Sequence, residues 1–153
     1  MISTRRNRTT QHQTAPERSG AAMVETALVL PLMLLVILGV VEFGRAFMVS
    51  QLLVNAAREG NRLAVMSGVT TAQVDAEVRT VVQNTVGVDP AQVAVTITVT
   101  PFAGGGSHSD LSIAQKRDLC EVSAAIPYDQ VSYVPVRWMT GVNLSGQCAM
   151  RHE

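Results

Sequence analysis

Apolar positions along this chain change their spacing several times, and each change predicts a different element. Residues 1–19 (MISTRRNRTTQHQTAPERS) are polar, with Arg5, Arg6, Arg8 and Arg18 against one acid, Glu17. Such a segment cannot bury enough apolar surface to offset ordering, so it is expected to be disordered. From Ala21 to Val41 apolar residues run almost without interruption, and Ala27 to Val41 contains no polar residue. That inner stretch makes about 22 Å of helix, short of a bilayer core of about 30 Å, whereas Ala21–Val41 makes about 31 Å and spans it. Pro31 lies inside this run. It lacks an N–H and would crowd the carbonyl of Ala27, so a kink or local loosening is expected there.

Beyond the run the pattern becomes amphipathic. Val49, Leu52, Leu53, Ala56, Gly60 and Leu63 recur on one helical face, and Gln51, Asn55, Arg58 and Arg62 on the other. One helix is therefore predicted from about residue 21 to Met66, apolar all round in its first half and striped in its second. Ser67-Gly68 ends it, with Gly68 as a left-handed cap. Thr70, with Gln73 three residues on, has capping-box spacing and opens a second helix whose buried stripe is Val74, Val78, Val81 and Val82. Gly87 and Pro90 close it.

After Pro90 the period drops to two. Val93, Val95, Ile97 and Val99 alternate with Ala94, Thr96, Thr98 and Thr100, and Cys120, Val122, Ala124 and Ile126 alternate again. Tyr133–Met139 is a candidate third strand, demoted to an edge by Pro135, and Leu144–Arg151 a fourth. Helices followed by clustered strands imply an α+β fold with a small C-terminal antiparallel sheet. The organisation expected is a basic leader at 1–20, a transmembrane plus amphipathic helix at 21–66, and an extracytoplasmic α+β domain at 67–153.

Charge orients the chain. Arginines crowd the N-terminal side of the apolar run, so the positive-inside rule keeps the N-terminus cytoplasmic and exports everything after about residue 45. Formal net charge is zero, and aromatics make up only 4% of the 153 residues. Neither a nucleic-acid field nor a stacking platform is expected, so nucleic acid is not a partner. Cys120 and Cys148 are an even pair in an exported domain, which suggests a disulfide contributing about 3 kcal/mol on the chain-entropy model. Two free buried thiols are the alternative.

Candidate chemistry is sparse. Ser107, His108, Ser109 and Asp110 sit together beside three glycines, but triads are assembled across a fold and catalysis is not expected of this loop. Cys120, Cys148, His108 and His152 lack metal-ligand spacing, so the disulfide is preferred and neither metal nor cofactor is expected. The three glycines lack the Lys-Ser/Thr and helix start of a phosphate loop, and no small-molecule substrate is expected. The informative stretch is Ser19-Gly20-Ala21-Ala22-Met23-Val24-Glu25, set between basic leader and apolar helix. A cut after Gly20 makes Glu25 the fifth residue of the mature chain. A carboxylate in a membrane segment is costly, so Glu25 either takes a partner, such as the new α-amino group of a neighbouring Ala21, or is solvated at the cytoplasmic interface. The first alternative would set the axial register between subunits. Two other outcomes compete with a cut at Gly20. One is an uncleaved signal anchor carrying a binding domain or small enzyme. The other is secretion by cleavage at Gly44-Arg45-Ala46, which the amphipathic continuity across residues 45–63 opposes.

These residues carry a resemblance. Gly20, Glu25, Leu30-Pro31, Glu42-Phe43-Gly44-Arg45 and Ala56-Ala57-Arg58-Glu59-Gly60-Asn61-Arg62 resemble the TadE-like proteins, minor pilins or pseudopilins of the bacterial tight adherence (Flp) pilus system. The resemblance covers about residues 18–66, and the Ala149-Met150-Arg151-x-Glu153 ending is similar to the way such chains often finish. It implies leader removal by a prepilin peptidase after Gly20, insertion in the inner membrane, and contacts with other pilin-like subunits, assembly proteins and membrane lipid. It implies no enzymatic activity. Thr26 stands where the family often has an aromatic. The C-terminal domain is longer than that of the small major Flp pilins, which argues against a main filament subunit. For Arg58 and Arg62 the two readings are a solvated polar face, with Glu59 compensating, and a face that docks on another subunit's carboxylates.

Overall fold

The computed structural model describes residues 17–133 and 141–152, with side chains from residue 20 onward. The leader through residue 16, most of the strand expected at Tyr133–Met139, and Glu153 lie outside the described residues. The chain divides between Gly39 and Val40 into two compact units.

Helix α1, Glu17–Ala64, runs through both units, with Pro31 inside it. Its N-terminal half is rich in Leu, Met and Ala, which lose little freedom in a helix. In the first unit every residue from Gly20 to Leu38 is exposed, among them Met23 at 75% and Leu28 at 74%. A helix apolar all round belongs in an apolar surrounding, and α1 is long and apolar enough to cross a membrane.

The second unit contains the rest of α1, helix α2 (Thr71–Val86), and strands β1 (Ala94–Thr100), β2 (Leu119–Pro127) and β3 (Asn143–Arg151). The sheet is antiparallel in the order β1-β2-β3, so the fold is α+β, as expected. Here α1 has one buried face, formed by Ala46, Val49, Leu53, Ala56, Ala57, Asn61 and Ala64. Gln51, Asn55, Arg58 and Arg62 are exposed, as the periodicity requires. The helix stops at Ala64, two residues before the expected Met66, and Gly68 takes φ +84°.

The capping box of α2 is formed in both directions. The Gln73 N–H donates to Thr70 Oγ1 at 3.4 Å, and the Thr70 N–H donates to Gln73 Oε1 at 2.9 Å. Gly87 closes the helix at φ +81°, its N–H bonded to the Gln83 carbonyl. Val74, Val78 and Val82 are buried, and Val81 packs against the core from its edge. In β1, Ile97 and Val99 are buried, and in β2 Cys120, Val122, Ala124 and Ile126 are. The register sets Ile97 opposite Val122 and Val99 opposite Cys120.

Two glycines let the layers meet. A Cβ on Gly60 would stand 2.2 Å from Val78 Cγ2, so α2 lies against the bare backbone of α1. A Cβ on Gly146 of β3 would stand 2.3 Å from the Val54 backbone nitrogen, so β3 lies against α1 just as closely. A side chain at Gly60 would have to displace Val78, and one at Gly146 would have to move the backbone of α1 or β3.

The expected disulfide is corrected. Cys120 and Cys148 are both free. The register explains it: Cys120 lies opposite Met150, and Cys148 opposite Val122. The two cysteines are therefore diagonal neighbours, a geometry about 7–8 Å apart, whereas a disulfide needs Cβ atoms about 4 Å apart. Burial pushes the Cys120 thiol pKa up, and nearby Asp118 raises it further, so the reactive thiolate is disfavoured.

Candidate functional site

The residues singled out by sequence fall into the two units. In the first unit, Gly20, Ala21 and Glu25 all lie on exposed helix. Space around Gly20 is open: a Cβ there meets nothing within 4 Å. Thr26 spends its hydroxyl on the Ala22 carbonyl at 2.8 Å. Glu25 lies beside Thr26, Val29, Leu30 and Met33 around a shallow depression of the helix surface.

In the second unit the motif Glu42-Phe43-Gly44-Arg45 divides by face. Glu42 and Arg45 turn toward the chain after β2, while Phe43 and Gly44 stay exposed. Glu42 is only 5% exposed. It accepts a short hydrogen bond from the Tyr128 hydroxyl and another from the Tyr133 N–H at 3.1 Å. Arg45 donates from Nε to the Val131 carbonyl at 2.7 Å and from a terminal nitrogen to the Tyr133 hydroxyl at 2.8 Å. Its guanidinium also stacks over the Tyr133 ring, 4.2 Å from the centroid. Residues 128–133 therefore form a collar around one turn of α1. It begins with a 3₁₀ turn at Tyr128–Gln130, and Tyr128 is 1% exposed. Burial of the phenol, with the Glu42 carboxylate accepting its proton's hydrogen bond, pushes the Tyr128 pKa up to about 12. A buried carboxylate is tolerable when donors meet it, and here two do.

The motif Ala56-Ala57-Arg58-Glu59-Gly60-Asn61-Arg62 divides the same way. Ala56, Ala57, Gly60 and Asn61 are buried. Asn61 is 0% exposed, and its amide nitrogen donates to the Cys120 carbonyl at 3.1 Å and the Cys148 carbonyl at 2.8 Å. One helix side chain thus ties α1 to β2 and β3 at once. Its Oδ1 is buried with no hydrogen-bond partner among the described residues. Arg58 donates to Asn55 Oδ1, and Arg62 pairs with Glu59 at 3.1 Å with both side chains at least half exposed. A pair so exposed contributes at most about 1 kcal/mol.

The polar loop has structural work. The backbone of His108 makes a two-way bridge to Val99. Asp110 caps a short turn by accepting from the Ser112 N–H, and hydrogen bonding from the Ser112 side chain, then from that N–H, lowers its pKa. The Ser109 carbonyl accepts from the Thr71 hydroxyl. Asp118 accepts from the Gln115 and Phe102 backbone N–H groups, which hold its carboxyl below the usual range.

Periodicity missed Glu42 and Asn61 as buried positions, although both sit on the stripe that contains Ala46, Val49, Leu53 and Ala57. A polar residue recurring on an apolar stripe was the available signal. Tyr128, Tyr133 and Gly146 gave none, because their roles depend on which strand reaches the helix. No curated protein and no solved structure matches the chain. Over residues 20–62 it matches a family model described as TadE-like protein, the family its helix motifs resemble.

Proposed function

We propose that this chain is a membrane-anchored, pilin-like subunit that serves assembly of a tight adherence type pilus through helix packing and protein–protein contacts. One observation carries the reading. The TadE-like segment opens at Gly20 with a helix whose apolar residues from Met23 to Leu38 are all exposed. Such a surface is unfavourable in water and requires a bilayer, or the packed helices of other subunits, around it.

The proposed topology places the N-terminus in the bacterial cytoplasm, α1 across the inner membrane and the α+β unit outside. A prepilin peptidase cuts between Gly20 and Ala21. The exposure of both residues, and the open space around Gly20, are compatible with a protease approaching from the side. The freed amino group then meets Glu25 of a neighbouring subunit and sets the register. The collar, Gly60, Asn61 and Gly146 hold the exported unit on the second half of the same helix. Catalysis plays no part in this reading.

The test is the N-terminus and intact mass of the chain purified from its native membranes, beside Gly20→Leu. A start at Ala21 in the wild type and an uncut leader in the variant support the pathway. A start near Phe47 refutes it, because the anchor would be lost. An intact leader in both would leave a signal-anchored exported domain.

A further inference from the structure

Resting on the membrane-anchoring reading, we propose that the α+β unit does not hang free beyond its anchor. It is seated in the outer headgroup layer by an apolar face at the start of its own helix segment, and the collar over Glu42 and Arg45 exists to keep that face free of charge.

Three observations meet here. First, apolar exposure does not end where a hydrocarbon span would. Val40 at 68%, Phe43 at 58%, Phe47 at 71% and Met48 at 58% exposure continue it into the second unit. C-terminal of Thr26, the first fully exposed polar side chain on α1 is Gln51, followed by Asn55, Arg58 and Glu59. Counted along the helix, Ala21 to Met48 has a contour of about 42 Å. That exceeds a hydrocarbon core of about 30 Å and equals a bilayer with its headgroup regions, about 40–45 Å.

Second, Glu42 and Arg45 are the only ionisable residues between Thr26 and Met48, and both are turned away from this face. Glu42 is buried under Tyr128 and the Tyr133 N–H, and Arg45 is held by the Val131 carbonyl and the Tyr133 ring. A carboxylate or guanidinium left outward here would face lipid and would need a polar partner there.

Third, the collar includes Tyr133, 67% exposed with its hydroxyl bonded to Arg45. An aromatic body with a polar tip is what interfacial belts use. The occupant of the face is thus the outer lipid leaflet, reached by continuity with the spanning segment.

The experiment uses the full chain in phosphatidylethanolamine–phosphatidylglycerol vesicles. Trp138, the single tryptophan, is replaced by Phe, and one reporter is introduced at a time: Ile37→Trp, Phe47→Trp or Asn55→Trp. All three positions are exposed, so a new indole displaces no packing. The readout is emission maximum and quenching by lipids brominated near the headgroup or deep in the chain. The result expected is deep quenching at residue 37, shallow quenching with a blue shift at residue 47, and neither at residue 55. Quenching at 37 with 47 as unquenched as 55 overturns the seat while leaving the anchor. An unquenched but blue-shifted signal at 47 that weakens on dilution into more lipid also overturns it, by showing that a second copy covers the face. No quenching even at 37 overturns the anchoring reading itself. Phe43→Trp is the companion reporter and must behave as 47 does.

Discussion

The two halves of α1 are built from similar residues and end in opposite circumstances. From Gly20 to Leu38 every position of the helix is exposed and its apolar residues lie open. From Ala46 to Ala64 the same helix carries the core, with Leu53, Ala56 and Ala57 at 0% exposure. The first half spends large side chains, Leu, Ile and Met, on its surroundings. The second sets small residues, Ala56, Ala57, Gly60 and Ala64, beside Val49 and Leu53 on its contact face, where another helix and a strand come close to its backbone. Hydrophobicity alone does not separate these uses. Residue size does: large apolar residues all round suit lipid, and small ones in a stripe suit close protein layers.

That comparison breaks most sharply at Gly146. Gly146→Val places side-chain atoms where the Val54 backbone now lies. It should cost about 3 kcal/mol or more, read as a collapse of the thermal transition of the full chain in detergent, with membrane association unchanged. Its mirror is Ile37→Asp, which should cost about 3 kcal/mol of insertion free energy. It should lower the membrane-bound fraction in a flotation assay while the melting of the α+β unit stays put. If either variant produces the other's effect, the two halves are not independent.

Asn61→Leu is the next largest. It leaves the Cys120 and Cys148 carbonyls without the side-chain donor they share, and about 1–3 kcal/mol of stability should go. Asn61→Asp should be at least as harmful, since it places an acceptor opposite two acceptors. Chemical denaturation midpoints decide it.

Tyr128→Phe sharpens the collar's role and should cost about 1–2 kcal/mol at neutral pH, since a buried hydrogen bond to a charged partner is lost. The pH dependence has a definite sign. The folded pKa of Tyr128, about 12, lies above the ordinary phenol value of 10. The unfolded chain therefore loses its proton first as pH rises, and the stability held below pH 10 declines between pH 10 and about 12. Wild type should show this extra alkaline slope in melting temperature and Tyr128→Phe should not.

The smallest effect is expected of the cysteines. With both thiols free, adding reductant should leave the melting temperature unchanged, and the Cys148→Ser variant should lie within about 0.5 kcal/mol of wild type. A drop of about 3 kcal/mol on reduction would restore the disulfide expected from sequence.

Much of the fold was legible because it rests on local rules. Continuous apolar residues, then a 3.6-residue stripe, then a capping box, then alternation by two, specify α1, α2, β1 and β2 without reference to the rest of the molecule. The TadE-like motifs were equally visible, since they too lie on one uninterrupted helix. What sequence could not supply was pairing across distance. Glu42 finds Tyr128 and Tyr133 across 86 and 91 positions, and Asn61 finds two strand carbonyls across 59 and 87. The cysteines failed to pair for a related reason: composition counts thiols, but strand register decides whether they are opposite or diagonal. Local periodicity is set by the geometry of each residue with its near neighbours, so the chain alone determines its elements and its membrane-competent helix. Which polar groups are buried, and against what, depends on how β2, β3 and the collar close on α1, and only the tertiary structure decided that.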